Sequence, residues 1–200
     1  MGDVSLSLAR EFFETHGFLV TVNRKYALAR RGEVPGADLY VVNSRGAKAS
    51  AKSDEDPVMT GRELGGIERA AVSVKGWHTD VFSTALLERA PDVLDFCRDA
   101  DLAAASRFFG GRTFSRVLVL SRLPKTKDLR AKAVHALAKA GVTHILEFST
   151  ILRVLANEVK TNKNYDESDV LQMLRLLKVY NLVAEDQLSL FPAKRKKRSK

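Results

Sequence analysis

One cysteine in 200 residues, Cys97, leaves no partner for an intrachain disulfide and no basis for a Cys-rich zinc site. No apolar run approaches the roughly 18 residues that a membrane helix needs. The opening Met1-Gly2-Asp3-Val4-Ser5 lacks the basic start and apolar run of a secretory signal. A soluble, cytoplasmic chain with no membrane partner is the expectation. The histidines, His16, His78, His135 and His144, are scattered, and no pair has the spacing of a zinc site. Gly61-Arg62-Glu63-Leu64-Gly65-Gly66 lacks the Gly-Lys-Ser/Thr ending of a phosphate-binding loop. No Gly-x-Ser-x-Gly elbow occurs, so serine hydrolase chemistry has no support. Internal repeats are absent.

What is present is enough apolar material for one core, 45% of the chain, and a lopsided charge. Of the net +9, six positive charges lie in residues 194–200, which leaves the preceding body at only +3. The pattern is a near-balanced globule with a cationic tail suited to nucleic acid or another polyanion. The expected organisation is an α/β domain over 1–182, with 149–182 as a helical extension, and a disordered tail over 183–200.

Residues 5–18 place Leu8, Phe12 and Phe13 on one stripe, which predicts an amphipathic helix ending near Gly17. Phe18-Leu-Val-Thr-Val, Ala37 to Asn43 and Ala70 to Gly76 read as strands. Residues 44–66, rich in Ser, Gly, Lys and Asp, read as a long loop. Helical composition over 79–108 is interrupted by Pro91, and Phe114 to Ser121 has the continuous apolar run of a buried strand. A helix over 127–140, a strand over 143–148, a helix near 149–159 and a last helix over 170–180 complete the chain. Asp166-Glu-Ser-Asp169 supplies caps for that last helix. Helices should therefore cover a mixed sheet.

Side chains alternate along a strand, so Ser73 and Lys75 share a face, and pairing of the second and third strands brings Asp38 beside Lys75. An acid and a lysine so placed offer one hard oxygen to Mg²⁺ and one cation to a developing phosphorane. Here the chain resembles the restriction endonuclease-like nuclease superfamily, whose core order of helix, three strands, helix, strand matches residues 5–121. That family's motif is Pro-Asp, then Asp/Glu-x-Lys on the next strand. This sequence has Ala37 before Asp38, and Ser73 stands where the second carboxylate is expected. One group of type II restriction enzymes is similar in having Ser-x-Lys and recovering the missing Glu from the following helix. Glu88, thirteen residues after Lys75, is the matching residue. The resemblance implies catalysis by Asp38, Lys75 and Glu88, with Mg²⁺ or Mn²⁺ held by Asp38 and Glu88. Glu11 and Glu14 of the first helix would be further acidic contributors. Asp80 competes for the missing ligand, while Glu68 lies at an odd offset from Lys75 and points to the other face. Trp77 is expected to pack over the sheet edge and His78 to be a rim residue.

Near the end, Gln187-Leu188-Ser189-Leu190-Phe191 resembles the sliding-clamp-binding peptide of bacterial replication and repair proteins at all five positions. In that family Leu and Phe enter an apolar pocket of the clamp and the Gln amide meets a polar patch. Lys194, Arg195, Lys196, Lys197 and Arg198 follow and read as phosphate-binding groups. A nuclear localisation signal has the same composition. The resulting expectation is a bacterial, nucleoid-associated, Mg²⁺-dependent DNA nuclease of repair or replication, recruited through the sliding clamp. Its alternative is a catalytically inactive nuclease-fold protein that binds DNA or a partner at the clamp. A basic-tailed scaffold in which 187–191 is accidental is a third reading.

Overall fold

The computed structural model describes residues 4–23, 36–46 and 57–182, with only the backbone of Arg62. Helix α1 (Val4–Thr15) leads into strand β1 (Phe18–Val22), and β2 (Leu39–Asn43) and β3 (Arg69–Lys75) follow. Then come α2 (Thr84–Arg89), a 3₁₀ segment (Pro91–Cys97), α3 (Asp99–Phe108) and β4 (Ser115–Leu120). The chain ends its described part with α4 (Lys127–Lys139), β5 (His144–Glu147), α5 (Phe148–Glu158) and α6 (Asp169–Val179). The five strands form one sheet in sequence order. β1–β2 and β2–β3 are antiparallel, whereas β3–β4 and β4–β5 are parallel. This is the α/β architecture expected, with a mixed sheet between helical layers.

Both sheet faces are covered, which is why β4 reads as an unbroken apolar run. On one face Val41, Val72 and Val119 meet Phe12 and Phe13 of α1, Ile151 and Leu155 of α5 and Leu171 of α6. On the other, Tyr40, Ala71, Leu118 and Ile145 meet Leu86 of α2, Phe96, Phe109 and Leu137 of α4. Pro91 ends α2 because it has no N–H for the helical ladder, and it opens the 3₁₀ segment at its first turn. Ser83 and Ser168 cap α2 and α6, accepting from the amides of Leu86 at 3.3 Å and Leu171 at 3.2 Å.

One expectation is corrected. The stretch 44–66 is not all loop. A 3₁₀ segment spans Arg62–Gly66, and Val58 bridges Ile145, with the Met59 amide donating to the Ile145 carbonyl and the Ile145 amide to Pro57. Met59, Leu64 and Ile67 are thereby buried, and the outer edge of β5 is partly paired. The last helix buries Leu171 and packs Leu174 on the core. Met173, Leu176, Val179 and Tyr180 remain exposed, so α6 is only half a core helix. Lys178 explains its own place there: its Nζ donates to the carbonyls of Ala156 at 3.1 Å and Val159 at 2.8 Å, orphan acceptors at the end of α5.

Candidate functional site

The residues singled out on β2 and β3 meet at the end of the sheet where β3 and β4 finish. Leu39 is the register partner of Val72, and the Asp38 amide donates to the Val72 carbonyl at 2.8 Å. Antiparallel pairing therefore sets the Asp38 side chain beside Ser73 and Val74. Its Oδ2 accepts the Val74 amide at 2.7 Å and, at a longer 3.4 Å, the Ser73 hydroxyl. Ser73 is fully buried, since a helical layer covers this face too.

Lys75 lies on the same face two residues on, half-buried, and its Nζ donates to the Asp92 carbonyl at 3.5 Å. That carbonyl belongs to the 3₁₀ segment Pro91–Cys97, which also presses on the chain just before Asp38. A Cβ added at Gly36 would stand 2.6 Å from the Phe96 amide nitrogen and 2.8 Å from the Asp95 carbonyl carbon. The Gly36 amide itself donates to Asp101 Oδ1 at 2.5 Å. Only a glycine allows this approach of the two backbones. Nothing in the sequence around Gly36 marks the segment it packs against.

The remaining residues are distributed differently. Glu88 is exposed on α2, whose Leu86 and Leu87 turn to the core. Glu14 pairs with Arg10 at 2.8 Å, and Glu14 first, then Glu11, hold the Arg10 guanidinium above its ordinary pKa. Both glutamates belong to α1, the layer on the opposite sheet face from Ser73 and Lys75. Asp80 is half-buried, with its carbonyl accepting the Ser121 hydroxyl at 2.7 Å. Glu68 is exposed beside Arg69 at the far end of β3. The structure thus brings Asp38, Ser73 and Lys75 to one sheet face and leaves Glu11 and Glu14 in the layer on the other, while Glu88 is on the exposed side of α2, the helix that covers the Lys75 face.

The loop after Lys75 is held by its own aromatics. Trp77 stacks on the buried Phe82 at 5.7 Å with a 20° interplanar angle. His78 meets Phe148 edge to face at 4.7 Å, and its Nε2 lies 3.2 Å from the Ser5 hydroxyl. These contacts join the loop to α1 and α5, in keeping with packing and rim roles. The fourth histidine, His144, is depressed below its usual pKa by burial, against a smaller opposing pull from Glu63.

A divalent ion needs several oxygens at once. Among the described residues, no group of three or more His, Cys, Asp or Glu side chains comes together to hold one. Asp38 has one oxygen engaged by the β3 backbone, and Glu88 is on the exposed side of α2. Among the described residues no ready-made cage for Mg²⁺ or Mn²⁺ is therefore present.

Gln187, Leu188, Ser189, Leu190 and Phe191, like Lys194 to Arg198, lie outside the described residues. Among the described residues no helix is long and apolar enough to cross a membrane. Comparison with family models, with curated proteins and with solved structures finds no match to this chain.

Proposed function

We infer that this chain is a non-catalytic accessory protein on a nuclease-like scaffold, holding DNA or a partner at the bacterial sliding clamp. Through residue 120 the chain runs helix, three strands, two helices joined by a 3₁₀ segment, and a strand, which differs from the order that the resemblance implies by one additional helix and supports the reading only to that extent. The observation that carries the non-catalytic part is the engagement of Asp38. Its Oδ2 ties β2 to β3 through the Val74 amide, Ser73 contributes a hydroxyl where a second carboxylate would complete an ion cage, and Lys75 turns to a backbone carbonyl. An aspartate used in this way serves the fold. Recruitment rests on Gln187 to Phe191, a sequence feature, with the basic run after it as a second weak tether.

The second reading is the Mg²⁺-dependent DNA nuclease using Asp38, Lys75 and Glu88. It is favoured by the convergence of Asp38, Ser73 and Lys75 on one sheet face at one strand end. A single set of measurements separates the two. Purified protein is incubated with single-stranded, duplex, branched and mismatched DNA in Mg²⁺ and in Mn²⁺, and a peptide spanning 183–195 is titrated onto a bacterial clamp. The accessory reading expects no cleavage and expects clamp binding that Leu190→Ala with Phe191→Ala abolishes. Cleavage that Lys75→Ala removes would establish the nuclease instead, and a peptide that ignores the clamp would end the recruitment proposal.

A further inference from the structure

Residues 122–132 hold five cations, Arg122, Lys125, Lys127, Arg130 and Lys132, against one acid, Asp128. Their net +4 exceeds the +3 carried by the whole of residues 1–193, so the rest of that body is slightly negative. The described residues together carry a net +4, so this segment of 11 residues matches the whole of their surplus, while Arg24 to Arg31, with an equal +4, lies outside the described residues. Four of these cations are exposed. Arg130 is half-buried and donates to Glu147 Oε2 at 2.9 Å, while Glu147 Oε1 accepts the Leu123 amide at 2.8 Å. Both Glu147 oxygens are thus engaged, and among the described residues no acid pairs with the exposed lysines.

Helix stability does not account for this placement. Lys125 and Lys127 flank the N-terminal end of α4, where the peptide dipoles oppose a cation. Position suggests another role. β4 ends at Leu120, the register partner of Lys75, and the basic segment starts immediately after it. The segment is also fastened to the loop that follows Lys75. The Phe82 amide donates to the Arg122 carbonyl at 2.9 Å, and Arg122 Nη2 donates to the Thr79 carbonyl at 3.3 Å. The basic segment therefore begins at the Lys75 end of the sheet.

We propose that the surface formed by Arg122, Lys125, Lys127 and Lys132 is a track for the phosphate backbone of duplex DNA. The choice of DNA as the polyanion rests on the functional reading above. A duplex carries a negative charge about every 1.7 Å of its axis, so closely spaced lysines on flexible stems engage successive phosphates without a shaped pocket and release condensed counterions. The track places a second, folded set of phosphate contacts beside those expected from the C-terminal run.

The test is the salt dependence of DNA binding by the full-length chain, read by fluorescence anisotropy with a labelled 20-base-pair duplex in EDTA. The paired variant Lys125→Gln with Lys127→Gln is expected to flatten the slope of log K against log salt by about two relative to wild type. The matched variant Arg107→Gln with Arg112→Gln makes the same charge change on exposed side chains before β4, at the opposite sheet end, and is expected to keep the wild-type slope. An unchanged slope in the lysine variant overturns the track. So does an equal loss in the arginine variant, because the effect would then be one of net charge, and so does a failure of wild type to bind duplex at all. Cleavage on replacing EDTA with Mg²⁺ would overturn the non-catalytic reading and leave the track standing.

Discussion

The Oδ2 of Asp38 accepts the backbone amide of Val74 at 2.7 Å, so a residue just before β2 supplies a side-chain acceptor to β3. Removing the carboxylate would leave that N–H and the buried Ser73 hydroxyl short of a partner. Asp38→Ala is expected to cost about 1–3 kcal/mol, the usual penalty for stranded buried groups. Asp38→Asn keeps an acceptor oxygen and is expected to cost less. Urea denaturation followed by circular dichroism reads both, and equal stability of Asp38→Ala and wild type would remove the structural role assigned to this aspartate.

Gly36 touches the 3₁₀ segment Pro91–Cys97 where a Cβ would run into the Phe96 backbone. Backbone cannot move aside as a flexible side chain does. Gly36→Ala should therefore destabilise the protein by about 1–3 kcal/mol, the range for forced overpacking. A shift in the denaturation midpoint equivalent to less than about 0.5 kcal/mol, the scatter of ordinary surface changes, would show that the two segments are not so close in solution.

How far these sites could be read in advance depends on whether the information was local. β4 announced itself because six consecutive residues from Ser115 to Leu120 include four buried apolar ones. The shared face of Ser73 and Lys75 followed from alternation alone. The direction of the Lys75 amine did not, since its acceptor, Asp92, lies seventeen residues on in a segment whose placement depends on where Pro91 breaks the helix. Glu88 sits one residue from the buried Leu87 on a helix of six residues, too short for periodicity to fix its phase. The pairing of Val58 with Ile145 joins residues far apart in sequence, and no local pattern in a stretch rich in Ser, Gly and Lys could show it.

Cys97 gives a test of how closed the second core is. Burial pushes its thiol up to about 11 from an ordinary 9.0, with nearby Arg116 pulling the other way. Two pH units mean a thiolate roughly a hundredfold scarcer at pH 8, and the thiolate is the nucleophile. Alkylation by iodoacetamide at pH 8 should be roughly a hundredfold slower in the native protein than in urea. The native rate should also keep rising past pH 9 rather than level there. A native rate equal to the unfolded one would show that Cys97 is open to solvent.

His144 lies at the start of β5 with its Nδ1 2.9 Å from the Thr143 hydroxyl, and burial lowers its pKa below the ordinary 6.5. The folded state therefore takes up the proton less readily than the unfolded chain. Above about pH 6.5 neither state is protonated at this ring and its contribution to stability is intact. As the pH falls below that value, the unfolded chain binds the proton first and stability is lost until the folded ring titrates as well. His144→Gln has no such proton, so its unfolding free energy should decline less between pH 7.5 and pH 5 than that of wild type. Denaturant midpoints at the two pH values measure the difference. Parallel declines in the two proteins would mean that the ring is as readily protonated in the fold as outside it, and the burial of His144 would then have no consequence for acid stability.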